Sequence, residues 1–447
     1  RTSQKGDTVS YNAGAFKVTD DADVEGLLKK MPGITVSDGT VEAQGESVKK
    51  IFVDGKEFFG EDVTTAIKSL PAQAVDRIEV YNKLSDAAEF SGMDDGEGYK
   101  ALNIVTHANM RQGQFGKLYA GYGYDADTKT EARNKYVIGG NANIFSGDSR
   151  VSVIGLFNNI NQQNFSFEDI LGVSGSRRGG VGQYMVRPQS GVASVNAIGV
   201  NYSDTWGKRD QVSFQGSYFF NNTDTKNQST VDKWYESPMP VDTLATRGYS
   251  NTEAYNHRFN ARLEWKISDN QNLMVRPSFS YQSNDPLSTT QGWQFGQSGY
   301  SRTENFNDGL RHGYNLRTSA VYRAKLGKDG RTITLDGNVN YSDNTNNSNS
   351  FSNVLPISSV RPDGADGPWG WDTTGYTRLR YLRNLAPSNS YGLRGQFTYT
   401  EPVAKYAQVS VQYRIRYDYQ ERDKRSFITG PDYSVAGLLP DGALSNS

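Results

Sequence analysis

The feature that most constrains this chain is an alternation of apolar and polar residues at period two, repeated from about residue 113 onward in segments of about ten residues. Phe259, Ala261, Leu263, Trp265 and Ile267 alternate with Arg258, Asn260, Arg262, Glu264 and Lys266. Leu273, Val275, Pro277, Phe279 and Tyr281 do the same against Asn272, Met274, Arg276, Ser278 and Ser280. The pattern returns at Ile333 to Tyr341, Tyr391 to Tyr399 and Ala407 to Tyr419. Successive side chains of a strand point to opposite faces, so this pattern predicts a sheet lying between two unlike media. One such strand also fits a soluble sheet with one wet face. Repetition and connection lengths separate the two cases.

About eleven strands are expected, near 114–125, 133–145, 149–159, 192–204, 210–222, 255–267, 271–283, 312–326, 331–343, 389–401 and 405–421. Short links alternate with long ones, the long ones falling at about 160–190, 223–254, 284–311 and 344–388. Outer-membrane barrels have short periplasmic turns and longer extracellular loops, which is this alternation. With 46 Gly and 47 Tyr plus Phe in 447 residues, the composition suits such strands. A mean hydropathy of −0.67 and no apolar run of spanning-helix length exclude a helical membrane protein. The sequence therefore predicts an antiparallel membrane β-barrel. Strand parity places the end of the eleventh strand outside, whereas a barrel chain begins and ends in the periplasm with an even count. Plugged barrels have about 22 strands, so about half is expected here, with roughly another ten or eleven strands beyond Ser447.

Residues 1–112 read differently, as a small α+β unit preceding the barrel portion at 113–447. Val24, Leu27, Leu28 and Met31 recur at helical spacing after Asp20, Asp21 and Asp23, and Pro32-Gly33 ends the helix. Ile34 to Val36, Val48 to Val53, Val75 to Tyr81 and Ala101 to Thr106 read as strands, with a turn at Asp54-Gly55 and a second helix over Thr64 to Leu70.

Four stretches of this unit carry a resemblance: Asp23-Val-Glu-Gly-Leu-Leu-Lys-Lys-Met-Pro-Gly-Ile34, Val48-Lys-Lys-Ile-Phe-Val-Asp-Gly55, Leu70-Pro-Ala-Gln-Ala-Val-Asp-Arg-Ile-Glu-Val80 and Leu102-Asn-Ile-Val-Thr106. In this order and spacing they resemble the plug domain of TonB-dependent outer-membrane receptors of the Bacteroidetes type. Gly92 to Lys100 departs from the family's glycine-rich stretch, and Gln44-Gly45-Glu46 stands where many members carry Arg-Gly. The resemblance implies a receptor that takes up a nutrient ligand through a plugged barrel in the bacterial outer membrane. Its loops would be extracellular and its plug would face the periplasm. The implied partners are a TonB-type energy-coupling protein and outer-membrane lipid, with a surface lipoprotein as a further candidate. The alternative is a non-transporting plugged barrel acting as an envelope scaffold or adhesin.

No enzyme constellation is present. Cysteine is absent and the three histidines are His107, His257 and His312. His257 and His312 are expected at strand starts flanking long external links, where separate rim histidines are a simpler reading than a shared metal or haem. Asp94, Asp95 and Glu97 lack calcium-loop spacing and read as a solvated plug loop. A net charge of −1 gives no electrostatic case for nucleic acid, and no cofactor is expected. Gly121, Gly123, Gly139 and Gly140 are expected to let the plug backbone approach the wall. Arg177-Arg178 reads as a lipopolysaccharide or solvent contact. The candidate ligand-binding residues are external aromatics: Trp234, Tyr235, Trp293, Phe295, Trp369 and Trp371. The competing reading of these rings is loop packing or anchoring at the lipid interface.

Overall fold

The computed structural model describes residues 2–20, 22–37, 40–59, 63–91, 96–110, 112–126, 133–161, 191–207, 210–235, 243–296, 299–327, 330–358, 378–404 and 407–445. The first hundred residues contain strands β1 (Thr2–Lys5), β2 (Thr8–Asn12), β3 (Ile34–Ser37), β4 (Thr40–Ala43), β5 (Glu46–Ser47), β6 (Lys50–Val53), β7 (Lys56–Glu57), β8 (Val75–Lys83) and β9 (Tyr99–Thr106). Helices α1 (Val24–Leu28), α2 (Val63–Ser69) and α3 (Asp86–Ser91) lie between them. One sheet has the order β1-β2-β8-β9-β6-β7, with β6 and β9 parallel, and a second joins β3, β4 and β5.

Local chemistry accounts for these elements. Asp23 caps α1, its Oδ1 accepting from the Gly26 amide at 3.0 Å. Val24, Leu27 and Leu28 are buried on one face, and Gly33 at φ +77° follows Pro32 to end the segment. The turn between β6 and β7 has both central residues at positive φ, Asp54 at 48° and Gly55 at 82°. Leu27, Leu28, Ile51, Ile67, Leu70, Ile78, Leu102 and Ile104 form the buried core.

The rest is one antiparallel sheet: β10 (Gln112–Tyr124), β11 (Asn134–Ser146), β12 (Ser149–Asn158), β13 (Val192–Trp206), β14 (Val212–Trp234), β15 (Thr243–Ser268), β16 (Gln271–Gly296), β17 (Gly299–Lys325), β18 (Thr332–Ser358), β19 (Arg378–Leu385), β20 (Pro387–Ala404), β21 (Ala407–Arg422) and β22 (Arg425–Thr429). Neighbours in sequence pair from β10 to β18, after which β18 pairs with β20 along one half and β19 along the other. Among the described residues, β10 pairs only with β11 and β21 only with β20. Arg150, Asn201, Arg262 and Arg276, on β12, β13, β15 and β16, all bond to the small domain, so the sheet curves around it. The fold is an antiparallel β wall curved around an N-terminal α+β domain, which sits against its inner face as a plug. No described helix is long and apolar enough to cross a membrane.

The two faces are chemically distinct. Phe259 and Trp265 are exposed outward, whereas Arg262 and Glu264 point inward, where Arg262 reaches the plug. The same outer face carries Tyr218, Phe279, Leu316, Leu335, Val339 and Phe397.

Three expectations change. The described residues of the links at 223–254, 284–311 and 344–388 are nearly all strand: β14 to β18 run for 23 to 27 residues, against the roughly 9–11 that cross a bilayer. Beyond the lipid both faces meet water, so stretches such as Asn344 to Asn353 lose the apolar alternation yet keep the ladder. Only residues up to Asn161 of the 160–190 link are described. Among the described residues the sheet has thirteen strands rather than about eleven, because β19 precedes β20 across a break at Ala386, just before Pro387, and β22 follows β21. Proline supplies no N–H for a continuous ladder. His257 and His312 lie inside β15 and β17 rather than at strand starts, and His257 Nδ1 sits 2.9 Å from Tyr218 Oη.

Replacing Leu263 by Arg, on the outer face close to the middle of the spanning segment, is expected to cost about 2–4 kcal/mol. Urea unfolding in lipid vesicles measures it, and an unchanged midpoint refutes the placement.

Candidate functional site at the plug–wall interface

On the β11 to β14 side, apolar packing and neutral hydrogen bonds dominate. Phe145, Ile154, Leu156, Val195, Ala197 and Phe219 of the wall are continuous with the plug core. Phe59 and Phe219 have ring centroids 5.7 Å apart. The last carbonyls of a helix have no intrahelical donors. Here the wall supplies them: Asn143 Nδ2 donates to Ser69 O at 3.0 Å and Asn141 Nδ2 to Lys68 O at 3.3 Å. Ser152 Oγ orients Asn143 by donating to its Oδ1 at 2.6 Å. Asn201 Oδ1 accepts from the Phe59 amide at 3.3 Å.

One buried ion pair reinforces this side. Arg150 Nη1 donates to Val53 O at 2.7 Å and Nη2 to Asp54 Oδ2 at 3.1 Å, with the two side chains 6% and 9% exposed. Asp54 also accepts from the Thr106 amide at 2.8 Å and hydroxyl at 2.7 Å. Breaking such a pair by removing one member costs roughly 3–5 kcal/mol, because a charge stays buried. At the short-turn end Lys56 Nζ reaches Asp148 Oδ1 at 3.0 Å.

The β15 to β17 side is ionic. Ser85 caps α3 by accepting from the Ala88 amide at 3.0 Å, which sets Asp86 facing the wall. Arg262 Nη2 donates to Asp86 Oδ1 at 3.1 Å, and Arg276 Nη2 donates to Asp86 Oδ2. Arg262 Nη1 lies 3.6 Å from Glu57 Oε2. Lys325 Nζ stands 5.1 Å from the Phe90 ring centroid. Burial pushes the Asp86 carboxyl up, but Arg262 and Arg276 more than reverse this and hold it at about 2. The arrangement can hold or release a helix electrostatically. Among the described residues no group of three or more metal-ligating side chains converges on a metal position.

The aromatic candidates separate. Trp234 ends β14 and is 75% exposed, with Tyr235 beside it. Trp234, Thr243 and Phe295 share one row of the ladder, which brings the first and third near the same rim; the Phe295 side chain lies outside the description. Trp293 is only 5% exposed, beneath Arg247, whose guanidinium is 5.4 Å from the ring and bonds to Asp232 at 2.9 Å. Trp369, Trp371, Asp94, Asp95, Arg177 and Arg178 lie outside the described residues. The strand glycines do not admit the plug backbone: a Cβ on Gly139 would meet the Tyr119 ring at 2.4 Å and one on Gly140 would meet Lys117 O at 2.3 Å. Sequence reasoning missed the Asp54 and Asp86 contacts. The inward placement of Arg262 was readable from alternation, but a partner 176 residues away was not.

The depressed Asp86 value fixes a pH dependence. Its contribution, about 2 kcal/mol, is present above the unfolded value of 3.8 and is lost as pH falls towards about 2. Hydrogen-exchange protection of α3, corrected for intrinsic rates, should fall across that window. Asp86→Asn should lower protection at neutral pH by about ten- to a hundredfold and abolish the acid-induced fall. Equal protection in both proteins contradicts the clasp.

No family model and no curated protein matches this chain. Among solved structures it is similar to the siderophore receptor PiuA from Acinetobacter baumannii, at 15% identity and a TM-score of 0.32, over 95% of this chain and 62% of that one. It is also similar to the copper transporter OprC, at 9% identity and a TM-score of 0.25 over 96% and 77% of the two chains. The ferric-catecholate import receptor Fiu from E. coli K12 matches at 10% identity and a TM-score of 0.24, over 94% and 76%. The chain thus spans less than two thirds of the length of the first of these.

Proposed function

We propose that residues 1–112 are the plug and residues 113–447 the N-terminal part of the barrel of a TonB-dependent outer-membrane receptor, which takes up a nutrient ligand. The supporting observation is the two-sided plug interface: an apolar, hydrogen-bonded anchor on β11 to β14 and a clasp of few charged groups on β15 to β17. Elements that move are drawn from the less stable contacts. In this reading a TonB-type protein pulls on the plug from the periplasm, the clasp lets go, and a passage opens between α3 and the wall while the anchor holds. Outer-membrane lipid covers the apolar outer face, and the long strands project outward. Trp234 and Tyr235 are the proposed rim contacts for ligand, stacking being the use of exposed flat rings.

The test exploits the absence of cysteine from these 447 residues. Ala88 on α3 and Ser69 on α2 are 0% and 1% exposed. In native cells, Ala88→Cys should react with a maleimide at least about tenfold faster when the inner membrane is energised than after a protonophore. Ser69→Cys should stay protected in both states. Labelling that ignores energisation at both sites would overturn the transport reading in favour of an envelope scaffold or adhesin.

A further inference from the structure

The passage proposed above would be bounded by the inner faces of β16 to β21, and ladder register decides which side chains line it. Directly opposed residues of an antiparallel pair share a face. Arg276, which bonds to the plug, opposes Ser319, so the odd positions of β17 point inward, Arg317 among them. Arg317 opposes Asn340 on β18, whose neighbour on that face, Asn338, opposes Arg394 on β20. Arg394 in turn opposes Arg416 on β21, and Gln396 opposes Arg414. Arg276, Arg317, Arg323, Arg394, Arg414 and Arg416 therefore share one face with two acids, Asp336 and Asp418, among the described residues of β16 to β21. The acids Glu304, Asp308, Asp343, Glu401 and Glu421 fall on the opposite face by the same register.

At the far end of this strip one amide gathers two guanidinium groups. Gln396 Oε1 accepts from Arg394 Nη2 at 3.3 Å and from Arg414 Nε at 3.0 Å, which holds two guanidinium groups beside one amide. Arg416 bonds to Asp418, two positions along the same face. Like charges directly opposite each other, as Arg394 and Arg416 are, destabilise a sheet unless an anion lies between them. Guanidinium forks match carboxylate, phosphate and sulfate in two-pronged geometry, and arginine rings select anions in pores. The plug already places one carboxylate on this strip, since Asp86 occupies Arg276.

We infer that the solute this barrel admits is multiply anionic, bound by Arg394, Arg414 and Arg416, and that it displaces Asp86 from Arg276 as it moves toward the plug; this rests on the transport reading. Binding and release of α3 are thereby linked: the solute loosens the clasp by supplying the carboxylate or phosphate that Asp86 otherwise provides.

Calorimetry on the purified full chain in detergent tests this with tripolyphosphate and citrate as probes and neutral maltotriose as the comparison. Both anions should bind, with affinity falling steeply from low to high salt, and maltotriose should not. Replacing Arg394, Arg414 and Arg416 together by Gln should weaken anion binding at least about tenfold. Arg331→Gln, on the outer face and paired with Glu401, should leave it unchanged. Saturating tripolyphosphate should also speed hydrogen exchange in α3. No anion binding, equal binding of maltotriose, or binding unaffected by the triple substitution overturns the inference. The unsubstituted protein decides anion against neutral even if the triple variant fails to fold. If anions bind but Ala88→Cys labelling ignores energisation, transport falls and the anion strip stands; the reverse outcome removes the strip and leaves transport.

Discussion

A backbone that crosses lipid must satisfy every N–H and C=O within the protein, and among the described residues each strand from β11 to β20 lies in ladders with two neighbours. Everything else in the wall follows from that pairing. Once each strand is fixed between two neighbours, its side chains can only alternate, so the outer face must suit lipid and the inner face inherits the polar half of the sequence. A polar face turned inward needs partners of its own. The plug supplies them, giving carbonyls to Asn141 and Asn143, Val53 O and Asp54 to Arg150, and Asp86 to Arg262 and Arg276.

The two sides of the plug interface differ in how they respond to a disturbance. Apolar burial between Phe59 and Phe219, or among Leu156, Val195 and the plug core, is lost gradually and re-forms without orientation. The clasp at Asp86 depends on one carboxylate lying between two guanidinium groups. An ion pair of this kind is sensitive to competing ions and to geometry, because desolvation costs about as much as the attraction returns. A domain held by both has a fixed edge and a releasable one.

The outer and inner faces were legible in the sequence wherever lipid imposed alternation, as at Phe259 and Trp265 against Arg262 and Glu264. They were illegible where water lay on both sides, which is why the upper parts of β16, β17 and β18 read as loops. Asparagine, serine and threonine there satisfy either face, so periodicity carries no signal although the ladder continues through Asn344 to Asn353. The plug helices and strands could be read from caps and turns such as Asp23 and Asp54-Gly55. Its contacts with the wall could not, since each joins residues far apart in the chain. Trp293 shows the same limit: an aromatic among polar residues looks exposed until Arg247 and its strand neighbours are seen to cover it.

The hairpin at the start of the chain has a mechanical meaning. Thr2 pairs with Tyr11 and Lys5 with Thr8, so the start of β1 and the exit of β2 lie at the same end of the hairpin. Tension applied at Thr2 would load these pairs in succession, as in opening a zipper, and each would yield at low force. Tension along β8 or β9, paired with each other over most of their lengths in the middle of the plug sheet, would load many hydrogen bonds together in shear. The plug sheet therefore has a compliant outer edge and a stiff centre, and the order in which force would dismantle it is written in its strand order.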